Sequence, residues 1–138
     1  MRAQLAQLEA KGNPPNELFE LHCRNLRKIH DAGMIIGLGT DGTGDGFGPQ
    51  EQILYYTKCG MTAKEAIMAG TSVNARILFM DKLGTVAAGK EASFIVLNAN
   101  PLDDISNTRK IASVYLRGKE VDRKGLRAKW TGSTSATK

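Results

Sequence analysis

Met34-Ile-Ile-Gly-Leu-Gly-Thr-Asp-Gly-Thr-Gly-Asp-Gly-Phe47 is the stretch that decides the fold of this 138-residue chain. Its apolar start is partly β-branched and too short for a helix, which predicts a buried strand over 34–40. Asp41 stands where that strand would end, and the carboxyl end of a buried parallel strand is where α/β folds place their sites. The glycines around Asp41 remove side-chain bulk, so a metal, a ligand or another strand could approach closely.

The composition is that of a globular chain with a core and a charged surface, because 41% of the residues are hydrophobic and 24% are charged. No apolar run approaches the roughly 20 residues of a membrane span, and the N-terminus shows no apolar signal core. Cys23 and Cys59 lack CxxC spacing. We therefore expect two reduced thiols in a cytoplasmic protein rather than a disulfide or a zinc site.

The net charge of +5 is concentrated at the C-terminal end. From Ser106 onward, nine Lys or Arg residues stand against two acidic residues, a local charge of +7 that leaves −2 for the rest of the chain. A basic end can indicate nucleic-acid binding, but no aromatic ladder or binding motif accompanies this one. The pattern instead predicts a solvated, disordered tail over 124–138 and neither a nucleic-acid nor a membrane partner.

Helical patterns alternate with turns up to about residue 80. The predicted helices begin with those over 1–11, 17–32 and 49–59. The capping-box sequence Thr62-Ala-Lys-Glu65 starts a further helix that ends near Gly70. Thr71 or Ser72 then caps the next helix.

Beyond Asp81 the pattern changes to glycine-containing turns and β-rich runs. The predicted strands cover 93–98, 111–117 and 120–122. The chain therefore divides into a helical segment over 1–80, a β-rich segment over 81–123 and the basic tail.

Two known loop patterns overlap the glycine-rich stretch, and the surroundings fit neither. Gly37-Leu-Gly-Thr-Asp-Gly42 has the spacing of a dinucleotide-binding fingerprint, which needs a helix at its third glycine, whereas no helix can begin here before about Pro49. The run from Asp41 to Gly46 has the spacing of a calcium loop, but Gln52 stands where a bidentate Glu belongs. A nucleotide-binding αβ module stays as an alternative.

Five segments in order along the chain form a recognisable set. They are 25–33, Gly39-Thr-Asp41, Thr71-Ser-Val-Asn-Ala-Arg-Ile-Leu78, 84–92 and 100–104. Together they resemble the C-terminal part of the metal-dependent amidohydrolase superfamily, in its imidazolonepropionase and Xaa-Pro dipeptidase-like branch. The resemblance implies an α/β fold: the last strand and closing helices of a TIM-like (β/α)8 barrel, followed by part of a small β-sandwich.

The resemblance also implies a chemistry for Asp41, which without it would more simply cap a turn. In the superfamily the matching residue binds a divalent metal, which we expect to be zinc, and carries a proton from the attacking water to the leaving group. We therefore expect a hydrolase that cleaves carbon–nitrogen bonds of a small-molecule substrate. Gly42, Thr43 and Gly44 would lie beside that substrate.

The chain departs from the superfamily pattern because the other metal ligands come from earlier strands and have no match here. His22 and His30 lie before Asp41 where the resemblance places no ligand, so we expect packing or surface roles for them. One carboxylate cannot hold a catalytic zinc, which typically needs three protein ligands. Ser93 replaces the usual Asp after Gly-Lys-x-Ala, which predicts a structural difference there.

A single barrel strand would also leave its hydrogen-bonding edges unpaired. We therefore expect the chain by itself to be inactive and to associate, either as a homo-oligomer or with a missing N-terminal barrel segment. A catalytically inactive module that only self-associates or binds a partner is the alternative function.

Overall fold

The computed structural model describes residues 15–40 and 48–132. The predicted helix over 1–11, the glycine-rich loop over 41–47 and the last residues of the predicted tail lie outside the described residues. Within them, the elements are α1 (Pro15–Asp31), α2 (Gly48–Lys58), α3 (Ala63–Met68), a π-helical turn (Ala69–Val73), α4 (Asn74–Ile77), β1 (Phe94–Leu97), a 3₁₀ helix (Ile105–Arg109), β2 (Ile111–Leu116), β3 (Lys119–Glu120) and α5 (Arg123–Gly132). Among these helices, none combines the length and the apolar character needed to cross a membrane.

Helices α1 and α2 agree with the sequence prediction. Helix α1 begins at Pro15, whose fixed φ suits a first turn, and it ends before Gly33, which has a φ of +71°. Helix α2 begins at Gly48, next to Pro49. The two helices pack together, with the rings of Phe19 and Tyr55 in an edge-to-face contact at 4.9 Å.

The capping box before α3 is confirmed. The backbone N–H of Glu65 donates to Thr62 Oγ1, and the backbone N–H of Thr62 donates to Glu65 Oε2. Each side chain thus satisfies a backbone donor that the first helical turn would otherwise leave open.

The predicted break near Gly70 is wrong, because α3, the π-helical turn and α4 form one continuous helical run. The Thr71 hydroxyl donates to the backbone oxygen of Ile67, one turn back, instead of capping a new helix. A glycine costs a helix about 1 kcal/mol relative to alanine. Gly70 packs closely against Leu38 and Ile53, and tertiary packing of this kind can outweigh that cost.

The sheet is small and antiparallel, with the strand order β1-β2-β3. Phe94 pairs with Tyr115, and their rings stack at 4.8 Å. Arg117 and Gly118 turn β2 into β3 with φ values of +51° and +78°, as a two-residue hairpin of primed type requires. The Ser93 hydroxyl donates to Glu91 Oε1 and accepts from the backbone N–H of Arg117, so it joins the start of β1 to this turn.

The hydrophobic core lies among the helices. It consists of Tyr56, Met61, Ala66 and Ala69, with Leu26, Ile36, Leu38 and Ile53 packed against it. The segment before the glycine-rich loop therefore contributes two side chains to this core.

The segment 34–40 forms no strand, which corrects the prediction of a buried barrel strand there. Ile36 and Leu38 pack against the helical core, but Met34 and Ile35 are 62% and 61% exposed. A strand requires a hydrogen-bonded neighbour, and the strands in the described part of the chain pair only with one another. The segment 34–40 therefore packs along the helical core without backbone hydrogen bonds to a neighbouring strand in the described part of the chain.

Cys23 and Cys59 form a disulfide, so the expectation of two reduced thiols is wrong. Their Cα atoms lie 4.5 Å apart, and both side chains are buried between α1 and the end of α2. The two cysteines are 36 positions apart in the sequence, and only the packing of the helices brings them together.

The tail also differs from its prediction, because residues 123–132 form α5 rather than a disordered segment. Asp122 precedes this helix, and its Oδ1 accepts from the backbone N–H of Gly125 at 2.9 Å, as an N-cap does. The Arg123 guanidinium donates to the backbone oxygen of Ile111 and ties the helix to β2. A count of charges does not detect this N-cap and therefore does not predict the helix.

Candidate active site

The predicted site residues follow directly on the segment 34–40. Asp41, Gly42, Thr43 and Gly44 lie outside the described residues. The described chain ends at Thr40 on one side of the loop and resumes at the start of α2 on the other. We therefore describe the contacts that hold the segment 34–40, which leads directly into the predicted site.

Asn74 holds the backbone of Leu38 at two points. The Leu38 N–H donates to Asn74 Oδ1 at 3.0 Å, and Asn74 Nδ2 donates to the Leu38 oxygen at 2.8 Å. In an extended chain the N–H and C=O of one residue point to the same side, where a neighbouring strand would bond them. The Asn74 side chain thus occupies the place of a strand. We call this pair of hydrogen bonds the Asn74 clamp.

Two further groups bond the same short piece of backbone. The Ala69 oxygen accepts from the Leu38 N–H at 3.2 Å, so that N–H is shared between two acceptors. The Tyr56 hydroxyl donates to the Gly37 oxygen at 2.8 Å. Burial raises the pKa of Tyr56, although a hydrogen bond with Gln52 acts in the opposite direction. The phenol therefore stays protonated and can donate at neutral pH.

The two glycines of the segment have different surroundings. A β-carbon at Gly37 would lie 2.4 Å from Asn74 Oδ1 and 2.8 Å from Ile77 Cδ1, so any larger residue would displace these two side chains. A β-carbon at Gly39 would meet none of the described atoms within 4 Å. Gly37 thus makes room for the Asn74 clamp, whereas Gly39 is exposed.

The two histidines lie on α1, as predicted. His22 is exposed. His30 Nδ1 lies 3.4 Å from Asp31 and its Nε2 lies 3.3 Å from Glu65. Hydrogen bonds with Asp31 and then with Glu65 raise the pKa of His30. In the described part of the chain, no three His, Cys, Asp or Glu residues are grouped so that they could hold a metal ion.

Sequence reasoning missed both residues that fix the backbone before Asp41. Asn74 belongs to the motif over 71–78 that carries the family resemblance, so a signal for it was present but had no assigned role. Tyr56 gave no signal, because it is one of two adjacent tyrosines in the same helix. Only the fold shows which of them faces Gly37.

The far side of the loop is anchored by an ion pair. Glu51, in the first turn of α2, lies 3.1 Å from the Arg109 guanidinium at the end of the 3₁₀ helix. This pair links the helical part of the chain to the β-rich part close to where the described chain resumes.

Comparison with known proteins adds to this geometry. The sequence matches the profile of the amidohydrolase family over residues 5–121. An imidazolonepropionase of Deinococcus radiodurans is 31% identical over 102 residues, which cover 69% of this chain and 26% of that protein.

Solved structures are similar as well. A molinate hydrolase superimposes with a TM-score of 0.75 at 27% identity, over 90% of this chain and 31% of that one. An Xaa-Pro dipeptidase superimposes with a TM-score of 0.67 at 32% identity, over 72% of this chain and 25% of that one. This chain therefore spans only about a quarter to a third of the proteins that it matches.

Proposed function

This chain belongs to the amidohydrolase family, and from that membership we propose that it supplies the closing part of a hydrolase that cleaves carbon–nitrogen bonds. The observation that carries the proposal is the family match over residues 5–121, which includes Asp41 and the residues that fix the backbone before it. A dipeptidase among its structural relatives cleaves a bond of this kind, as its name states. The substrate in this proposal is a small molecule.

Asp41 is the residue that we propose for the chemistry. A divalent metal, zinc in this proposal, would polarise the scissile carbonyl when bound. Asp41 would offer one carboxylate oxygen as a ligand. Its carboxylate would also take a proton from the attacking water and deliver it to the leaving nitrogen, acting first as a base and then as an acid. Gly42, Thr43 and Gly44 would leave room for the substrate beside it.

The residues present fit such a metal only in part. Asp41 offers a single carboxylate, and the described residues hold no cluster that could complete a site. A catalytic zinc typically has three protein ligands. We propose that the remaining ligands come from outside this chain.

The exposed apolar residues before the loop support association. Met34 and Ile35 are exposed, and the segment 34–40 lacks a strand neighbour within the described residues. We propose that this segment becomes the last barrel strand when an N-terminal barrel segment or a second copy pairs with it. Residues 1–80 would then close the barrel, and residues 81–123 would form part of a β-sandwich. An inactive module that only associates is the second candidate function, and the same exposed residues favour it.

The site of action in the cell stays a prediction. We predict a cytoplasmic protein, but the Cys23–Cys59 disulfide counts against it, because cytoplasmic thiols are usually kept reduced.

The Asp41→Asn variant of the active assembly tests the proposed function. Amide for carboxylate keeps the size of the side chain but removes the proton carrier, so we expect an intact fold and a loss of at least about 100-fold in kcat. Asp45→Asn, in the same loop, is the matched control and should keep most of the activity. Near-normal turnover by Asp41→Asn would refute the proposal.

Calorimetric titration of the isolated chain with zinc tests whether the chain forms a metal site by itself. A single carboxylate predicts no stoichiometric binding at micromolar or lower zinc. Binding of that strength, abolished by Asp41→Asn, would show that the chain itself forms a metal site. The nucleotide-binding alternative predicts instead that a nucleotide raises the melting temperature.

A further inference from the structure

We infer that helix α5 is a docking surface for an anionic lipid membrane, along which it lies without crossing the bilayer. The inference goes beyond the proposed function and does not depend on a metal or a substrate. The sequence prediction of a tail without a membrane partner assumed that the tail is disordered. Because residues 123–132 form a helix instead, their charges are held in a fixed arrangement that a surface can recognise.

Helix α5 buries none of the side chains that the structure describes in it. Over 123–129 every residue is exposed except Gly125, which is half-buried. The N-cap at Asp122 and the hydrogen bond from Arg123 to the Ile111 oxygen both act on the first turn. A helix of 10 residues is marginal in water unless one of its faces packs against another surface. Helix α5 therefore offers most of its surface to a further partner.

The charge of α5 selects an anionic partner. The helix carries four cationic residues and no acidic one, namely Arg123, Lys124, Arg127 and Lys129. Two of these cations stand in the first turn, where the positive end of the helix dipole disfavours them, so they do not serve the stability of the helix. Over residues 106–129, eight Lys or Arg stand against two acidic residues, a net charge of +6. An anionic surface complements this charge.

Leu126 favours a membrane over a nucleic acid. It is 54% exposed, and Arg123 and Lys129, three positions before and after it, are its neighbours on the helix surface. An apolar side chain bordered by cations is typical of a helix in a membrane interface, where the apolar group reaches the acyl chains and the cations meet anionic headgroups. The phosphate backbone of a nucleic acid would use the cations but offers nothing to the leucine.

Co-sedimentation of the 138-residue chain with lipid vesicles tests the inference. We expect vesicles of phosphatidylcholine with about 30% phosphatidylserine to bind at least about tenfold more strongly than phosphatidylcholine alone, and less strongly as salt rises from about 50 to about 500 mM. Trp130 is the only tryptophan of the chain and belongs to α5, so its emission should shift to shorter wavelength on binding. Equal binding to both kinds of vesicle, or to neither, would overturn the inference.

The double variant Lys124→Glu/Lys129→Glu reverses two charges of α5. Each Lys or Arg near an anionic surface contributes roughly fivefold to binding, so we expect the variant to bind the phosphatidylserine vesicles at least about 25-fold more weakly. Glutamate suits the helix dipole at position 124 and opposes it at 129, so the helix content should stay the same. Lys28→Glu/Lys64→Glu is the matched control, with the same net charge and both changes at exposed positions of α1 and α3. Equal losses in the two double variants would overturn the role of α5.

The Leu126→Ala variant separates a membrane from a nucleic acid. Alanine has the highest helix propensity, so the helix is kept while most of the apolar surface of the side chain is removed. Binding to the phosphatidylserine vesicles should fall by about threefold or more, as for a side chain that enters the bilayer interface. Suppose that a DNA duplex binds more tightly than the vesicles and that only Lys124→Glu/Lys129→Glu weakens its binding. That result would assign α5 to a nucleic acid and overturn the inference.

Contacts between protein chains give the remaining outcomes. The active assembly should bind the same vesicles as the isolated chain, and loss of vesicle binding on assembly would place α5 in a protein interface. Self-association of the wild-type chain that Lys124→Glu/Lys129→Glu abolishes would do the same. Either result would overturn the inference and leave the proposed function standing. Conversely, Asp41→Asn should leave vesicle binding unchanged, so the two proposals can fail independently.

Discussion

Gly84 packs directly against Ala75, so closely that a β-carbon at position 84 would lie 2.6 Å from the β-carbon of Ala75. The same atom would lie 2.9 Å from Cα of Ser72. The turn that leads toward the sheet is thereby pressed onto the helical run that carries Asn74. This contact supports the helical run, which in turn holds the segment 34–40 through the Asn74 clamp.

Replacing Gly84 by alanine should destabilise the chain for two reasons that a second glycine can separate. Gly84 and Gly89 have φ values of +84° and +80°, so alanine is strained at both, by about 1–2 kcal/mol. A β-carbon at Gly89 meets none of the described atoms within 4 Å. Gly84→Ala should therefore cost about 1–3 kcal/mol more than Gly89→Ala, as overpacking does. Urea unfolding measures both, and equal losses would contradict the packing argument.

Phe79 should be replaceable by glycine with a gain in stability. It has a φ of +55° and is 89% exposed, so a bulky side chain occupies a left-handed position without burial in return. Phe79→Gly relieves about 1–2 kcal/mol of backbone strain, offset in part by the greater freedom of glycine in the unfolded chain. We expect a net gain of up to about 1 kcal/mol. Phe79→Ala is the control: it removes the ring but keeps the strain, and a similar gain there would contradict the explanation.

Reduction of the Cys23–Cys59 disulfide should lower the stability of the chain. The bond closes a loop with a sequence separation of 36, for which chain entropy predicts a contribution of about 3–4 kcal/mol. Dithiothreitol should lower the melting temperature of the wild type but not that of the Cys23→Ala/Cys59→Ala double variant. A thiol assay in denaturant without reductant should find no free thiol at these positions. Two free thiols per chain would show that the disulfide is absent.

The stability of the chain should fall as the pH rises through the titration of His30. Hydrogen bonds with Asp31 and then Glu65 raise the pKa of His30 in the folded state. Its contribution is therefore complete below the unfolded-state pKa of about 6.5 and is lost as the pH rises through the higher folded-state pKa. Melting temperatures from about pH 6 to pH 8 should show a decline that His30→Gln removes. His22→Gln, an exposed histidine on the same helix, should leave the decline in place.

Glu65 should give the stability a pH dependence of the opposite sign at acidic pH. Hydrogen bonds from the Thr62 hydroxyl and then from its backbone lower the pKa of Glu65. Its contribution is present above the unfolded-state pKa and is lost as the pH falls through the lower folded-state pKa. Melting temperatures below about pH 4.5 should therefore fall less steeply in Thr62→Ala, which removes the first of these bonds. An unchanged acid limb in that variant would contradict the assignment.

Most individual elements could be predicted because their signals are local. The helix after Pro15, the capping box of Thr62 and Glu65, and the strands on either side of residue 105 each depend on residues a few positions apart. Family membership was equally accessible, because five short motifs in order carry it. The helix over 123–132 does not follow from the charge pattern, because its start depends on the single N-cap at Asp122.

Only part of the candidate site could be predicted from the sequence. Its position after Leu38 follows from the Gly39-Thr-Asp41 motif, but the groups that hold Leu38 come from a helix 36 positions further on. No local pattern could show that an asparagine side chain there replaces a strand neighbour.

The sequence by itself thus determined the helix that ends before Gly33, the helix that follows Thr62 and the strands on either side of residue 105, since propensity, capping and proline or glycine effects act within a few residues. The tertiary structure alone decided three long-range features: the Cys23–Cys59 disulfide, the Asn74 clamp on Leu38, and the absence of a strand over 34–40. The physical reason is the same for all three. A disulfide, a side-chain clamp and a strand each need a partner, and the partner is chosen by the packing of distant parts of the chain rather than by the residues beside it.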